Sequence, residues 1–151
     1  MSYSLLVIDM QGYFKASKQS SVKKNVLKQI ALAMKDNAPI VFVEYEGCGS
    51  TLPSLTNLPK NNSYNNIYKI KKTEDDGSDV IRSALRSNKL PRTYVRVCGV
   101  NTDCCIYETV NGLSGALPKT KIEVVENACG SSHDHNAGID DMKKMFNVKI
   151  I

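Results

Sequence analysis

The sequence predicts an α/β protein with three layers, in which helices cover both faces of a mostly parallel, Rossmann-like sheet of six strands. Short, nearly continuous apolar runs alternate along the chain with amphipathic stretches of helical period. The connections between successive runs have the length of a crossover that joins parallel strands. Because the composition shows neither a repeat nor a break, we expect one domain spanning 1–151.

Six segments have the character of strands. An apolar run without alternation, such as SLLVID at 4–9, is typical of a strand that is covered on both faces. The third segment is less apolar than the others, which favours a position near an edge of the sheet. In chain order, the predicted strands are 4–9, 39–45, 66–72, 92–100, 121–128 and a short terminal strand over 147–151.

Four segments have helical character. The first carries its apolar residues on one stripe and lysines on the opposite face. Ser78 is a suitable N-cap for the second, and Thr102 or Asp103 for the third. The predicted helices are 22–34, 79–88, 102–117 and 132–146.

A polar segment rich in Gly, Ser, Pro and Asn runs over residues 46–66. It is long for a connection within a compact domain, and long connections without secondary structure usually have a function. We therefore expect a loop that closes over a ligand.

Composition excludes several classes of protein. Hydrophobic residues make up 42% and charged residues 23% of the chain, the mixture of a globular protein. We expect no membrane span, since no apolar run reaches about 18 residues, and no signal peptide, since the N-terminus lacks a basic region. The net charge of +5 is scattered among acids, which argues against nucleic-acid binding.

The cysteines indicate a reducing compartment. The chain has five of them, an odd number without a CxxC motif, and two are adjacent. Free thiols in the cytoplasm are the simplest interpretation.

Three kinds of reactive side chain meet at one edge of the predicted sheet. In open α/β sheets, ligands bind beyond the carboxyl ends of the strands. Asp9 ends the first strand, Lys71 and Lys72 end the third, and the adjacent Cys104 and Cys105 follow the fourth. An acid, a cation and a thiol are therefore expected close together.

The adjacent cysteines have two interpretations. In the first turn of a helix, unsatisfied N–H groups and the macrodipole favour a thiolate and could also hold an oxyanion. Alternatively, Cys104 and Cys105 are small buried apolar residues, as most free cysteines are. Asp9 also has two interpretations: it is either a functional group of the site or a structural cap for the neighbouring loop.

LLVIDMQGYF near the N-terminus and VCGVNTDCCIYET at the fourth strand resemble the isochorismatase-like cysteine hydrolases, the superfamily of nicotinamidases and N-carbamoylsarcosine amidases. The similarity runs along nearly the whole chain. It implies an Asp–Lys–Cys triad, in which Asp9 matches the acid and Cys105, three residues after Thr102, matches the nucleophile. Cys104 falls at a variable position of the family.

The resemblance has further implications for the site. It implies a cis peptide between Val100 and Asn101, which would direct the N–H groups of Asn101 and Cys105 at a substrate carbonyl. Three residues are expected to bind the substrate: Gln11, Phe14 and Tyr45. For the lysine we choose Lys72, which follows an apolar residue by two positions, and leave Lys71 and Lys69 as alternatives.

No catalytic metal and no cofactor are expected. The nicotinamidase branch holds a metal ion with an Asp/His set after the second strand, and this chain has no histidine there. Its two histidines, His133 and His135, lie at the start of the last predicted helix, where capping or surface positions are more common than metal ligation.

These observations predict a cytoplasmic amidase that hydrolyses a small amide or carbamoyl compound through a thioester. As in proteins it resembles, a homo-oligomer, either dimer or tetramer, is expected. Two alternatives stay open: a non-covalent hydrolase of the isochorismatase type, which does not need the cysteine, and a catalytically silent binding protein of the same fold.

Overall fold

Six parallel strands form one sheet in the structure, a computed structural model that describes residues 2–151. Their spatial order is β3-β2-β1-β4-β5-β6, so β3 and β6 are the edge strands. The predicted fold class and the edge position of the third strand are thereby confirmed. The strands are β1 Ser4–Ile8, β2 Ile40–Tyr45, β3 Ile67–Lys72, β4 Tyr94–Val100, β5 Lys121–Gly130 and β6 Val148–Ile150.

Helices cover both faces of this sheet. Along β1, Leu5 packs in one apolar cluster with Val26 of α1 and Leu55 of α2, whereas Leu6 packs in a second cluster with side chains of α3, α4 and α5, such as Val110. Alternate side chains of a strand point to opposite faces, which explains why the central strands are apolar throughout. The helices are α1 Ser20–Lys35, α2 Pro53–Asn61, α3 Ser78–Ser87, α4 Tyr107–Ala116 and α5 His135–Lys143.

The segment 46–66 differs from the expected long loop. It contains α2, which begins with Pro53 at its first position and packs against α1. Leu55 and Pro59, four residues apart, form its buried face. Proline at the first helical position and this spacing of buried residues were the sequence signals for a helix.

Several helix ends also differ from the prediction. Gly77 and not Ser78 is the N-cap of α3, and Ser78 donates its backbone N–H to the Asp76 carboxylate at 2.8 Å. Residues Thr102–Ile106 form a π turn before α4, and neither Thr102 nor Asp103 caps it. No helix among residues 2–151 is long and apolar enough to cross a membrane.

The sheet order places a crevice beside β1. The chain runs outward from β1 to β2 and β3, then crosses back to β4 on the other side of β1 and runs outward again to β5 and β6. Ligands bind at such a switch point, beyond the carboxyl ends of the strands. We therefore expect the functional site at the carboxyl ends of β1 and β4.

Gly99 allows β4 to approach β1 at this point. Its φ is +129°, and a Cβ atom there would overlap the carbonyl oxygen of Ile8. Only glycine adopts this conformation without strain, and only glycine leaves room for the neighbouring backbone.

We predict that Gly99→Ala lowers the free energy of unfolding by at least about 3 kcal/mol, from backbone strain and overpacking together. Urea denaturation followed by circular dichroism measures the change. Gly115→Ala is the matched control: Gly115 lies in α4 with open space around its Cα, so alanine there should add up to about 1 kcal/mol of stability. Equal stability of the two variants would contradict the prediction.

Candidate functional site

The structure brings Asp9, Lys72 and Cys105 into contact. Asp9 follows β1, Lys72 is the last residue of β3, and Cys105 lies in the π turn after β4. Lys72 Nζ is 3.2 Å from Asp9 Oδ2 and 3.3 Å from Cys105 Sγ. All three side chains are buried.

The backbone after β1 turns sharply at Asp9. This residue has φ +54°, a left-handed conformation that aspartate and asparagine adopt more readily than most residues. Its N–H still donates to the carbonyl of Val43 on β2 at 2.9 Å, so the strand pairing continues up to the turn. The carboxylate is thereby fixed above the end of the sheet.

Lys72 crosses the end of β2 to reach Asp9. Its ammonium donates to the carbonyls of Glu74 at 2.9 Å and Asp75 at 3.2 Å, and lies 4.0 Å from the centre of the Tyr45 ring. These contacts compensate a cation that is almost wholly removed from water.

The two alternative lysines lie elsewhere. Lys69 and Lys71 are both exposed, whereas only 1% of Lys72 is accessible to solvent. Of the three lysines, the structure therefore brings Lys72 to the acid and the thiol.

Burial dominates the electrostatics of the cluster. It raises the pKa of Asp9 above that of an ordinary carboxyl group, against the opposing effect of Lys72. Burial also raises the pKa of Cys105, and the Asp9 carboxylate raises it further. Both effects favour the protonated thiol of Cys105 over the thiolate, which was one of the two interpretations of its helix position.

The turn that carries Cys105 is wound around Asn101. The peptide bond between Val100 and Asn101 is cis. The Asn101 carbonyl accepts the N–H groups of Cys104 and Ile106, each at 3.1 Å. The bond from Ile106 spans five residues, and such π turns are frequent at functional sites.

The segment before α5 holds this turn in place. His135 Nδ1 lies 2.7 Å from Thr102 Oγ1, and the N–H of Ser132 donates to Asn101 Oδ1 at 2.9 Å. Asp134 caps α5 through the N–H of Ala137. His133 is exposed, and its backbone N–H donates to Ser131 Oγ at 3.0 Å.

Gln11 has a structural position. Its amide accepts the N–H of Tyr45 at 2.8 Å and donates to the carbonyls of Tyr45 and Gly49 at 3.0 and 2.6 Å. The side chain is fully buried. Gln11 therefore fixes the segment after β2 and has no surface left for a substrate.

Phe14 and Tyr45 are partly exposed next to the cluster. Their ring centres are 6.3 Å apart, and Tyr13 packs edge-on against Phe14 at 5.3 Å. Since Tyr45 also contacts Lys72, these rings border the approach to the cluster. Substrate binding by Phe14 and Tyr45 stays a prediction.

Asp75 is a site residue that the sequence analysis missed. It is exposed, with Oδ1 3.8 Å from Cys105 Sγ and Oδ2 3.7 Å from Cys104 Sγ. The hydroxyl of Tyr45 donates to Oδ1 at 3.3 Å. The run TEDDGS directly after β3 offered three acids, and the sequence alone gave no reason to select the middle one.

The segment after β2 does not fit a metal ion held by Asp and His. Residues 46–52 read EGCGSTL, without either residue type. The nearest buried acid, Glu44, accepts both the N–H and the hydroxyl of Thr51, at 2.6 and 2.8 Å. No reaction step is therefore derived through such an ion.

A surface cavity of about 880 Å³ lies at the opposite edge of the sheet, where the strands begin. Its cations Arg96 and Lys121 are paired with Glu123 at 3.1 and 2.7 Å. This cavity lies at the opposite ends of the strands from the thiol, and two of the three cations that line it are already paired.

The sequence matches the Isochorismatase domain over residues 3–150. The chain therefore belongs to the isochorismatase family, as the resemblance implied. A comparison with curated proteins gave no match.

Solved structures share the fold at low sequence identity. The nicotinamidase of Staphylococcus aureus is 20% identical, with a TM-score of 0.82 over 100% of both chains. A pyrazinamidase/nicotinamidase of Streptococcus mutans is 18% identical, with a TM-score of 0.81 over 99% of this chain and 100% of the other. The MAR1 ribonuclease of Caenorhabditis elegans is 21% identical, with a TM-score of 0.81 over 99% of this chain and 76% of the other.

We predict that Asp9→Asn shifts the alkylation of Cys105 to lower pH. The Asp9 carboxylate raises the pKa of the thiol, so removing its charge lowers that pKa while Lys72 stays nearby. Iodoacetamide labelling rates at a series of pH values, read by peptide mass spectrometry, measure the profile. Cys48, outside the cluster, is the internal reference and should keep its profile. An unchanged profile, or one moved to higher pH, would refute this coupling.

Proposed function

We propose that the protein hydrolyses a small amide or carbamoyl compound through a thioester on Cys105. The observation that carries the proposal is the buried contact of Asp9, Lys72 and Cys105 at the switch point of the sheet. A base, a cation and a nucleophile within hydrogen-bonding reach are the parts that covalent acyl transfer needs.

In the first step, the Asp9 carboxylate takes the proton of the Cys105 thiol while sulfur attacks the substrate carbonyl carbon. The raised pKa of Asp9 makes it a stronger base than an ordinary carboxylate, which favours this transfer. The C=O electron pair moves onto oxygen and forms a tetrahedral oxyanion.

Two backbone N–H groups are proposed to hold that oxyanion. Asn101 and Cys105 lie on the turn after the cis peptide, and the bonds to the Asn101 carbonyl come from Cys104 and Ile106 rather than from Cys105. Preorganised donors of this kind lower the barrier because they need no reorientation as charge develops.

Collapse of the intermediate breaks the C–N bond. Protonated Asp9 gives its proton to the departing ammonia or amine, and the acyl group remains on sulfur. Water then attacks the thioester carbonyl with Asp9 as base, the C–S bond breaks, and sulfur regains the proton. Throughout, Lys72 keeps a positive charge beside the acid and the sulfur.

A non-covalent hydrolase would give the thiol no role. The contact of Cys105 Sγ with Lys72 and its electrostatic coupling to Asp9 favour the covalent route. A silent binding protein would not need all three side chains buried together. A cytoplasmic location and a dimer or tetramer stay predictions.

A screen for ammonia release from small amides, followed by matched variants, tests the proposal. For the best substrate, Cys105→Ser and Lys72→Met should each lower kcat/KM about a thousandfold or more, since members of a catalytic unit fail together. Cys104→Ser and Lys71→Met should retain activity close to that of the unchanged chain, because neither side chain contacts Asp9.

The paired design separates catalysis from stability, and circular dichroism confirms that each variant is folded. Loss of activity in Cys104→Ser but not in Cys105→Ser would assign the nucleophile to Cys104. If Cys105→Ser still turned over the substrate at the original rate, hydrolysis would not proceed through a thioester on Cys105.

A further inference from the structure

One group of metal-ligating side chains stands out among residues 2–151. Asp75, Cys104 and Cys105 each offer a ligand atom, and these atoms all lie within 4.8 Å of one another. The proposed hydrolysis uses Cys105 alone, so it leaves the second thiol and the carboxylate without a role.

We infer that Asp75, Cys104 and Cys105 bind a thiophilic divalent cation, Zn²⁺, with a fourth position open to water. In tetrahedral zinc sites, Zn–S is about 2.3 Å and Zn–O about 2.0–2.2 Å, which separates neighbouring ligand atoms by roughly 3.5–3.8 Å. Asp75 Oδ2 lies 3.7 Å from Cys104 Sγ, Asp75 Oδ1 lies 3.8 Å from Cys105 Sγ, and one ligand atom from each residue lies within 4.8 Å of the other two. Side-chain movements of about 1 Å would bring one Asp75 oxygen and both sulfurs to the spacing of a tetrahedral site.

Zn²⁺ offsets most of the negative charge that its ligands bring together. Two thiolates and the carboxylates of Asp75 and Asp9 carry four negative charges, and Zn²⁺ with the Lys72 ammonium, which is paired with Asp9 at 3.2 Å, carries three positive charges. Lys72 Nζ, at 3.3 Å from Cys105 Sγ, becomes a hydrogen-bond donor to a coordinated thiolate. Outer donors of this kind orient ligands and stabilise them.

The carboxylate is also oriented from outside. The Tyr45 hydroxyl donates to Asp75 Oδ1 at 3.3 Å, and the Asp75 carbonyl accepts from Lys72 Nζ at 3.2 Å and from Thr109 Oγ1 at 3.3 Å. Both the backbone and the side chain of Asp75 are therefore held beside the thiols.

The ion reaches this site from solvent. Asp75 is exposed and Cys104 is partly exposed, whereas Cys105 forms the buried end of the site. The ligands come from the turns after β3 and β4, so the site is separate from the segment after β2.

Binding has a consequence for catalysis that rests on the proposed function. A thiolate that donates an electron pair to Zn²⁺ is a weaker nucleophile toward a carbonyl carbon than the free thiolate. Zn²⁺ at this site would therefore inhibit the hydrolase, and a chelator would restore it.

Metal titration of the reduced chain tests the site without any substrate. Cd²⁺ should give thiolate-to-metal charge-transfer absorbance that saturates at one ion per chain, and Zn²⁺ should remove that absorbance by competition. An ordinary cysteine is protonated near neutral pH and must lose its proton to bind a metal ion, so binding should release two protons, measured in weakly buffered solution. Zn²⁺ affinity itself is measured against a chromophoric chelator.

Three variants assign the ligands. Cys104→Ser should weaken Zn²⁺ binding by at least about tenfold, halve the charge-transfer absorbance and release one proton; loss of even an outer partner costs 10- to 100-fold in affinity. Asp75→Asn should weaken binding to a similar degree with the absorbance intact. Cys48→Ser, which removes a partly exposed thiol outside the cluster, should bind as the unchanged chain does.

Unchanged Zn²⁺ affinity in Asp75→Asn and Cys104→Ser, or loss of binding in Cys48→Ser, would overturn the inference. Asp75 is on the surface, so its variant keeps the test valid if Cys104→Ser folds poorly. A chain that binds Zn²⁺ but hydrolyses no amide overturns the proposed function and not the metal site. Hydrolysis without Zn²⁺ binding overturns the metal site alone.

Discussion

The buried ion pair between Asp9 and Lys72 constrains the rest of the site. Each charge alone would be costly in the interior, and the two are separated by 3.2 Å. Lys72 is held by two carbonyls and a ring, whereas neither oxygen of Asp9 accepts a well-aligned hydrogen bond. The carboxylate is thus left with unused capacity to accept a proton, and Cys105 is next to it.

The surrounding fold supplies the geometry that this arrangement needs. Gly99 lets β4 approach β1, Gln11 fastens the segment after β2, and the residues before α5 clamp the π turn. These features all lie at the carboxyl ends of the central strands. Many of the polar side chains at these strand ends form hydrogen bonds that hold the backbone in place. Only a few side chains are therefore free to take part in a reaction.

Local patterns in the sequence were enough to predict the sheet, because its central strands are apolar on both faces and their connections have crossover length. Strand-end positions placed Asp9, a lysine pair and a cysteine pair together, and the family resemblance selected Lys72 and Cys105 from those pairs. These patterns failed where contacts between distant parts of the chain determine the structure of the site. Asp75 became part of the site through the turn after β3, the state of Cys105 depends on desolvation by its neighbours, and α2 was masked by the polar composition of its segment.

A double-mutant cycle of Asp9→Asn and Lys72→Met, in urea unfolding near neutral pH, tests the central ion pair most directly. Asparagine keeps the left-handed conformation at position 9. Lys72→Met removes the cation and should cost about 3–5 kcal/mol, because it strands a buried carboxylate; Asp9→Asn should also be destabilising, because it strands the ammonium. The double variant should regain much of that loss, which gives a strongly favourable coupling free energy between the two charges. Additive effects, with no coupling, would contradict the account.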